Sequence, residues 1–269
     1  MIEGRTRTGA APFLCYNCLM SSWSTRRRLA YFLALIIAIA LIAASVFFVL
    51  FYKAPTCFDG KQNGSERGVD CGGSCTRLCP ADFAAPKIQW AYSQKVVSGV
   101  YNSLAYVENP NPSVEATNLD YVFRLYDTSG VLVAERTGSA FVPAGQKLAI
   151  FEGGIRTGER IPYRTTFEFT SEPAWRQGAQ LSKLRVVSVD ASEGVSPRAE
   201  ARVKNEATFT QGPLDAFIVL YDVNGNRVAF SKTVVDSIAA GQTATLSYTW
   251  PEAFLKPIVK KEVLLVAHP

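Results

Sequence analysis

The chain has 269 residues, of which 48% are hydrophobic and 19% charged, with a net charge of +5. Apolar content at that level excludes a disordered or collagen-like polymer and is enough for one large domain or two of ordinary size. The one histidine, His268, adjoins the C-terminus, which leaves no histidine cluster for a metal and little for histidine-based catalysis.

The charge is unevenly placed. Residues 1–28 hold Arg5, Arg7, Arg26, Arg27 and Arg28 against Glu3, a local charge of +4, so the rest of the chain is close to balanced. A nucleic-acid partner is therefore not expected, because it needs a basic surface on the folded body.

From Leu29 to Tyr52 the sequence LAYFLALIIAIALIAASVFFVLFY carries no charge over 24 residues, and Arg28 and Lys53 close its ends. A helix of that length reaches about 36 Å, enough to cross a hydrocarbon core of about 30 Å. Its Leu, Ile, Val and Phe residues favour insertion by about 5–9 kcal/mol. A buried core helix would show a polar face. A cleaved signal peptide would be shorter and end in small residues, whereas this one ends in Val49-Leu50-Phe51-Tyr52. The reading is an uncleaved signal-anchor. The arginines before it place residues 1–28 in the cytoplasm and 53–269 outside, with the membrane as first partner. In the tail, Cys15-x-x-Cys18 is half of a zinc set at most. It reads as idle thiols, an acylation site, or a half-site completed by another chain.

Residues 53–83 form a cysteine-rich module. Cys57, Cys71, Cys75 and Cys79 lie within 23 residues that hold few large apolar side chains. In an oxidising compartment an even, dense set of this kind reads as two disulfides, with three connectivities open. Zinc on the four thiolates is the disfavoured alternative there. Asp59, Asn63, Glu66 and Asp70 are oxygen ligands at short spacing, and 59–70 has the length of a calcium loop with Gly64 at its turn. Calcium is the one cofactor these residues suggest. Against it, Lys61 stands where a carboxylate is needed and Asp70 where a bidentate Glu belongs; the alternative is that these residues cap tight turns. Asn63-Gly64-Ser65 is also a glycosylation sequon.

The stretch from Cys57 to Cys79 resembles a cysteine motif of secreted and surface-attached microbial proteins, C-x-D-G-x-x-N-G-x-E-x-G-x-D-C-G-G-x-C-x-x-C. It matches from Cys57 through Cys75 and departs at Cys79, one residue late. The resemblance implies a surface protein and no activity.

The remainder repeats itself. Leu119–Asp127 (LDYVFRLYD) and Leu214–Asp222 (LDAFIVLYD) agree at five of nine positions. The offset of 95 continues through Gly130/Gly225 and Ala134/Ala229 and becomes 96 at Ala144-Gly145-Gln146 against Ala240-Gly241-Gln242. Two copies are expected, 84–178 and 179–269. Tyr121, Phe123 and Leu125 alternate with Val122, Arg124 and Tyr126, which has the period of a strand with one buried face. Asp127–Gly130 and Asp222–Gly225 read as turns. Strands follow at 131–135, 147–151, 163–169, 184–189, 227–232, 243–249 and 263–267. Short strands spaced by turns, without amphipathic helices, predict a mainly β chain: one transmembrane helix, a disulfide module and two tandem immunoglobulin-like β-sandwiches.

Phe123-Arg124-Leu125-Tyr126-Asp127 carries the string that names the FxLYD-type domain, and both copies resemble that family of extracytoplasmic immunoglobulin-like sandwiches. Ile218 replaces the Phe in the second copy, while Asn109 and Asn205 stand near the end of an earlier strand in both. The resemblance implies a sandwich at the cell surface and no chemistry.

Phe217, Val219 and Tyr221 make the outer face of the second copy's strand apolar as well as the inner one. Two explanations compete: cover by the chain's own first domain, or a partner-binding patch. No nucleophile–base pairing, Gly-x-Ser-x-Gly or phosphate loop is legible. The expected function is non-enzymatic: a single-pass protein presenting two sandwiches to an envelope protein, a polysaccharide or a second copy of itself. The alternatives are an accessory subunit contacting a membrane complex through the helix, with Ala34, Ala38 and Ala40 allowing close packing, and an envelope hydrolase.

Overall fold

The computed structural model describes residues 23–178 and 183–268. Cys15 and Cys18 lie outside the described residues. The chain divides into two compact units, residues 1–55 and 56–269, described here separately.

The described residues of the first unit form one helix, α1 (Trp23–Phe51), of 29 residues, none of them buried. It begins six residues earlier than the uncharged stretch, so Arg26, Arg27 and Arg28 form its first turns. About 43 Å of helix results, long and apolar enough to cross a bilayer. Ser45 Oγ donates to the Leu41 carbonyl at 2.7 Å, so its hydroxyl is satisfied within the helix.

The second unit opens with the cysteine module, which ends in a single 3-10 turn at Pro80–Asp82. Thirteen strands follow among the described residues. The first copy holds β1 (Lys87–Val97), β2 (Val100–Glu108), β3 (Val114–Tyr126), β4 (Leu132–Val142), β5 (Lys147–Arg156), β6 (Arg164–Phe169) and β7 (Trp175–Gln177). The second holds β8 (Leu184–Ser192), β9 (Arg198–Asn205), β10 (Leu214–Tyr221), β11 (Arg227–Val235), β12 (Thr243–Thr249) and β13 (Lys260–Ala267). The first copy pairs them as β1-β2-β5 and β4-β3-β6, with β7 added on β3; the second as β8-β9-β12 and β11-β10-β13. The strand order is the same in both, and the strands of the described residues pair antiparallel throughout.

The repeated residues do the same work in each copy. Asn109 is buried; its Nδ2 donates to the carbonyls of Val114 (2.8 Å) and Pro143 (2.9 Å), and its Oδ1 accepts from the Asn111 backbone N–H. Asn205 is also buried; its Nδ2 donates to the carbonyls of Phe209 and Ile238, both at 2.8 Å, and its Oδ1 accepts from the Ala207 N–H. A buried amide with its bonds satisfied ties the same two loops in each sandwich. At the opposite end, Asp127 Oδ1 accepts from the Ser129 and Val131 N–H groups, and Asp222 Oδ1 from Asn224 and Asn226. Gly130 and Gly225 hold φ of 77° and 76°, which completes the same turn and requires a residue without Cβ strain.

The two sandwiches lie side by side, not end to end. The outer face of β11-β10-β13 packs on the outer face of β1-β2-β5, giving four stacked sheets. Phe230 of β11 is buried and meets the rings of Tyr92 on β1 and Phe151 on β5, while its N–H donates to Gln94 Oε1 at 2.9 Å. Across the same seam, Tyr106 Oη donates to one oxygen of Glu262 (2.7 Å) and Tyr221 Oη to the other (3.0 Å). Burial, with the Glu262 carboxylate beside them, pushes both phenols above their ordinary range. The burial patterns follow from this stacking. The central strands of the two inner sheets, β2 and β10, are buried almost throughout, whereas β9, in an outer sheet, alternates strictly.

Phe230→Ala removes a ring from the middle of this seam. It is expected to lower stability by about 3–5 kcal/mol, against about 0.5 kcal/mol or less for Val195→Ala, where the side chain is exposed. Urea denaturation followed by tryptophan fluorescence measures both.

Candidate functional site

The cysteine module is closed by two disulfides, Cys57–Cys75 and Cys71–Cys79. The bridges interleave in sequence, so neither loop can open alone. Gly73, at φ +62°, lies so close to Ser65 that a Cβ would overlap the Ser65 carbonyl, which explains the second glycine of Gly72-Gly73. The module is fastened to the first sandwich. Ala84 and Asn111 exchange two hydrogen bonds, Phe83 tilts against Trp175, and Leu78 packs on the same core.

Here the oxygen quartet closes turns. Asp70 Oδ1 accepts from the N–H groups of Asp59 (2.9 Å) and Gly60 (3.0 Å), Asp59 Oδ1 from Lys61, and Glu66 Oε2 from Asn63. Asn63 Nδ2 donates to Asp59 Oδ2 at 2.8 Å, and that bond is the leading reason the Asp59 carboxyl stays below its ordinary range. Carboxylates that accept from backbone donors in this way are the arrangement of turn caps. The acid and sulfur cluster that does converge is Cys57, Glu66 and Cys75, but its two sulfurs are bonded to one another and supply no thiolate.

Phe217, Val219 and Tyr221 need a correction as a partner-binding patch. Their exposures are 3%, 0% and 8%, all within the chain, because they face the first sandwich across the seam. A surface already spent on intramolecular burial is not available to another molecule.

The stacking creates a different feature. In each sandwich the turn after the first strand, the Asp turn and the loop before the sixth strand share one end. Thr157 N–H donates to the Gly99 carbonyl and Tyr163 N–H to that of Tyr126; likewise Val259 N–H donates to Tyr221 and Ile258 N–H to Glu193 Oε1. Both ends point the same way, and a cleft of about 700 Å³ opens between them. Tyr92, Lys95, Arg227, Glu252, Phe254 and Lys256 line it. This is within the roughly 300–1,000 Å³ range of small-ligand sites. The Arg227 guanidinium stacks 4.8 Å from the centre of the Trp90 ring and 5.3 Å from that of Tyr92. Its Nε is buried without a hydrogen-bond partner, and no carboxylate of the described residues pairs with it. Lys256, by contrast, is engaged by Asp222 at 3.1 Å. Exposed Leu255 stands at the rim.

The sequence reading did not find this cleft, since its residues come from both copies and share no motif. The one signal was Arg227 itself, a charge at the start of a strand whose next three residues, Val228, Ala229 and Phe230, are apolar. His268, set aside there as terminal, lies 3.2 Å from Asp215, which also takes Lys232 at 2.8 Å. These three border a cavity of about 120 Å³ at the other end of the seam.

No family model and no curated protein matches the chain. Among solved structures it is similar to a Bacteroides uniformis beta-glucuronidase (13% identity over 64% of this chain and 26% of that one, TM-score 0.21). It is similar also to a beta-glucuronidase from glycoside hydrolase family 2 (10%, 74% and 25%, TM-score 0.22) and to red sea bream transglutaminase (12%, 68% and 31%, TM-score 0.22). The chain spans about a quarter to a third of the length of these proteins. Scores of this size carry no argument about its fold or activity.

Two outcomes follow from the local chemistry. Replacing Cys71 and Cys79 together by Ser is expected to cost about 2–4 kcal/mol and to open the module to trypsin at Lys61, Arg67 and Arg77 while both sandwiches stay intact, as read by mass spectrometry of the fragments. Asp222 is held at about 2, first by the Asn226 side chain and then by backbone N–H groups and Lys256. A lowered carboxyl stabilises the fold above its ordinary value of 3.8 and loses that contribution as pH falls through about 2. Asp222→Asn should therefore lower the thermal midpoint at pH 7 and flatten its fall between pH 4 and pH 2.

Proposed function

We propose that the chain is a non-enzymatic, single-pass signal-anchor protein of the cell membrane. In this reading residues 1–28 are cytoplasmic, and the disulfide module and the two sandwiches, of FxLYD type, stand outside. The observation that carries it is α1: 29 consecutive helical residues with no buried side chain, preceded within the helix by Arg26, Arg27 and Arg28 in place of any acid. A helix with no protein surface to bury against is stable where the surrounding solvent is hydrocarbon. The two disulfides in the adjacent module support an oxidising, extracytoplasmic compartment. The sandwiches then act as one rigid body that presents loops and a cleft to an envelope polymer, a partner protein or a second copy. The non-enzymatic reading is supported by His268 being engaged with Asp215, and by the outer cysteines being consumed in disulfides.

The test is single-cysteine labelling on whole cells. A cysteine in place of exposed Val195 should react with a membrane-impermeant maleimide on intact cells, and one in place of Ser21 only after lysis. N-terminal sequencing of the membrane fraction should find residues 1–28 retained. Labelling of the 195 position only after lysis would overturn the orientation, and a protein starting beyond Tyr52 would overturn the anchor.

A further inference from the structure

The cleft between the sandwich ends has a feature that turn and core packing do not account for. Arg227 lies over the rings of Trp90 and Tyr92, half-buried and with no carboxylate of the described residues paired to it, at the wall of a roomy opening. A guanidinium presents a planar donor fork that matches a carboxylate, and one stacked on aromatic rings yet unpaired is poised to accept one from a ligand. We infer that this cleft is a binding site for a carboxylate-bearing oligosaccharide, with Arg227 receiving the carboxylate and the rings of Tyr92 and Phe254 flanking the sugar.

Three observations select this class. The cleft's cations are Lys95, Arg227 and Lys256, and Lys256 is already paired with Asp222. Set against Glu252, the remainder is one uncompensated positive charge, which suits a monoanionic carboxylate better than a dianionic phosphate. Next, β1 contributes Tyr92, Ser93 and Lys95 to the wall, where the Ser93 hydroxyl accepts from Thr165 and shares a hydrogen bond with Ser103. The lining thus offers side chains and ring faces, the means by which sugars are held. Finally, the volume exceeds what a single small anion needs. The assignment rests on the proposed exterior location, where polymeric sugars are met.

The experiment uses the full chain in detergent micelles, titrated calorimetrically with trigalacturonate, with maltotriose as the neutral oligomer and with inorganic phosphate. Saturable binding of trigalacturonate is expected, about tenfold weaker for maltotriose and for Arg227→Gln, with Arg227→Lys between the two because it keeps charge and loses the fork. Glu252→Gln, at an exposed rim position, should tighten trigalacturonate about twofold by removing a like charge. That variant keeps the proposal falsifiable if Arg227→Gln fails to fold by near-ultraviolet circular dichroism. No binding by the wild type, equal binding of maltotriose, phosphate binding as tightly as the uronate, or affinities unmoved by both substitutions would each overturn the assignment. The cell-labelling result is independent: exterior labelling with no uronate binding removes the ligand alone, and uronate binding with interior labelling removes the location alone.

Discussion

The structure depends on the burial of the face shared by β11-β10-β13 and β1-β2-β5. Each sandwich alone would leave an apolar sheet face in water: Phe217, Val219, Phe230, Leu264 and Val266 from one side and Leu104, Tyr106 and Ala149 from the other are all buried. Closing these faces on one another turns two modest cores into one layered stack. At roughly 25 cal/mol per Å² of apolar surface removed from water, a seam of several aromatic rings outweighs the entropy of fixing a short linker. Glu262 sharpens the register of the seam, because its two oxygens accept from tyrosines of different sandwiches. A shifted docking would break both of these hydrogen bonds, which favours the observed register.

The cleft is a consequence of that docking. Sandwiches strung end to end would point their loop ends along the chain and share no opening between them. Stacked side by side, they bring Lys95 and Pro162 of one copy to Arg227 and Phe254 of the other. The same seam supplies the rings that hold Arg227, since Trp90 and Tyr92 belong to the opposite sandwich. The site thus exists only in the assembled unit, and its rigidity is inherited from the packing beneath it.

The cysteine module meets a different constraint. With few apolar side chains it has no core to form, and it is instead held by interleaved disulfides, by carboxylates closing backbone turns and by a patch of contact with the first sandwich. Asp59 and Asp70 are spaced like ligands for a cation and act as turn caps, because short loops rich in glycine leave N–H groups that need acceptors.

Short-range patterns were readable directly. The uncharged run before Lys53, the period-2 strands and the paired Asp–Gly turns are properties of neighbouring residues, and the sequence by itself determined the helix, the mainly β class and the equivalence of Asp127 with Asp222. The copies were also visible as an offset, though strands β1, β2 and β9 lacked a motif to announce them. Which cysteines pair, what covers Phe217, Val219 and Tyr221, and where Arg227 ends up were decided only by tertiary structure. Apolarity states that a face must be buried but carries no address for what buries it; the address comes from shape and register between segments more than a hundred residues apart, as when Gln94 meets Phe230.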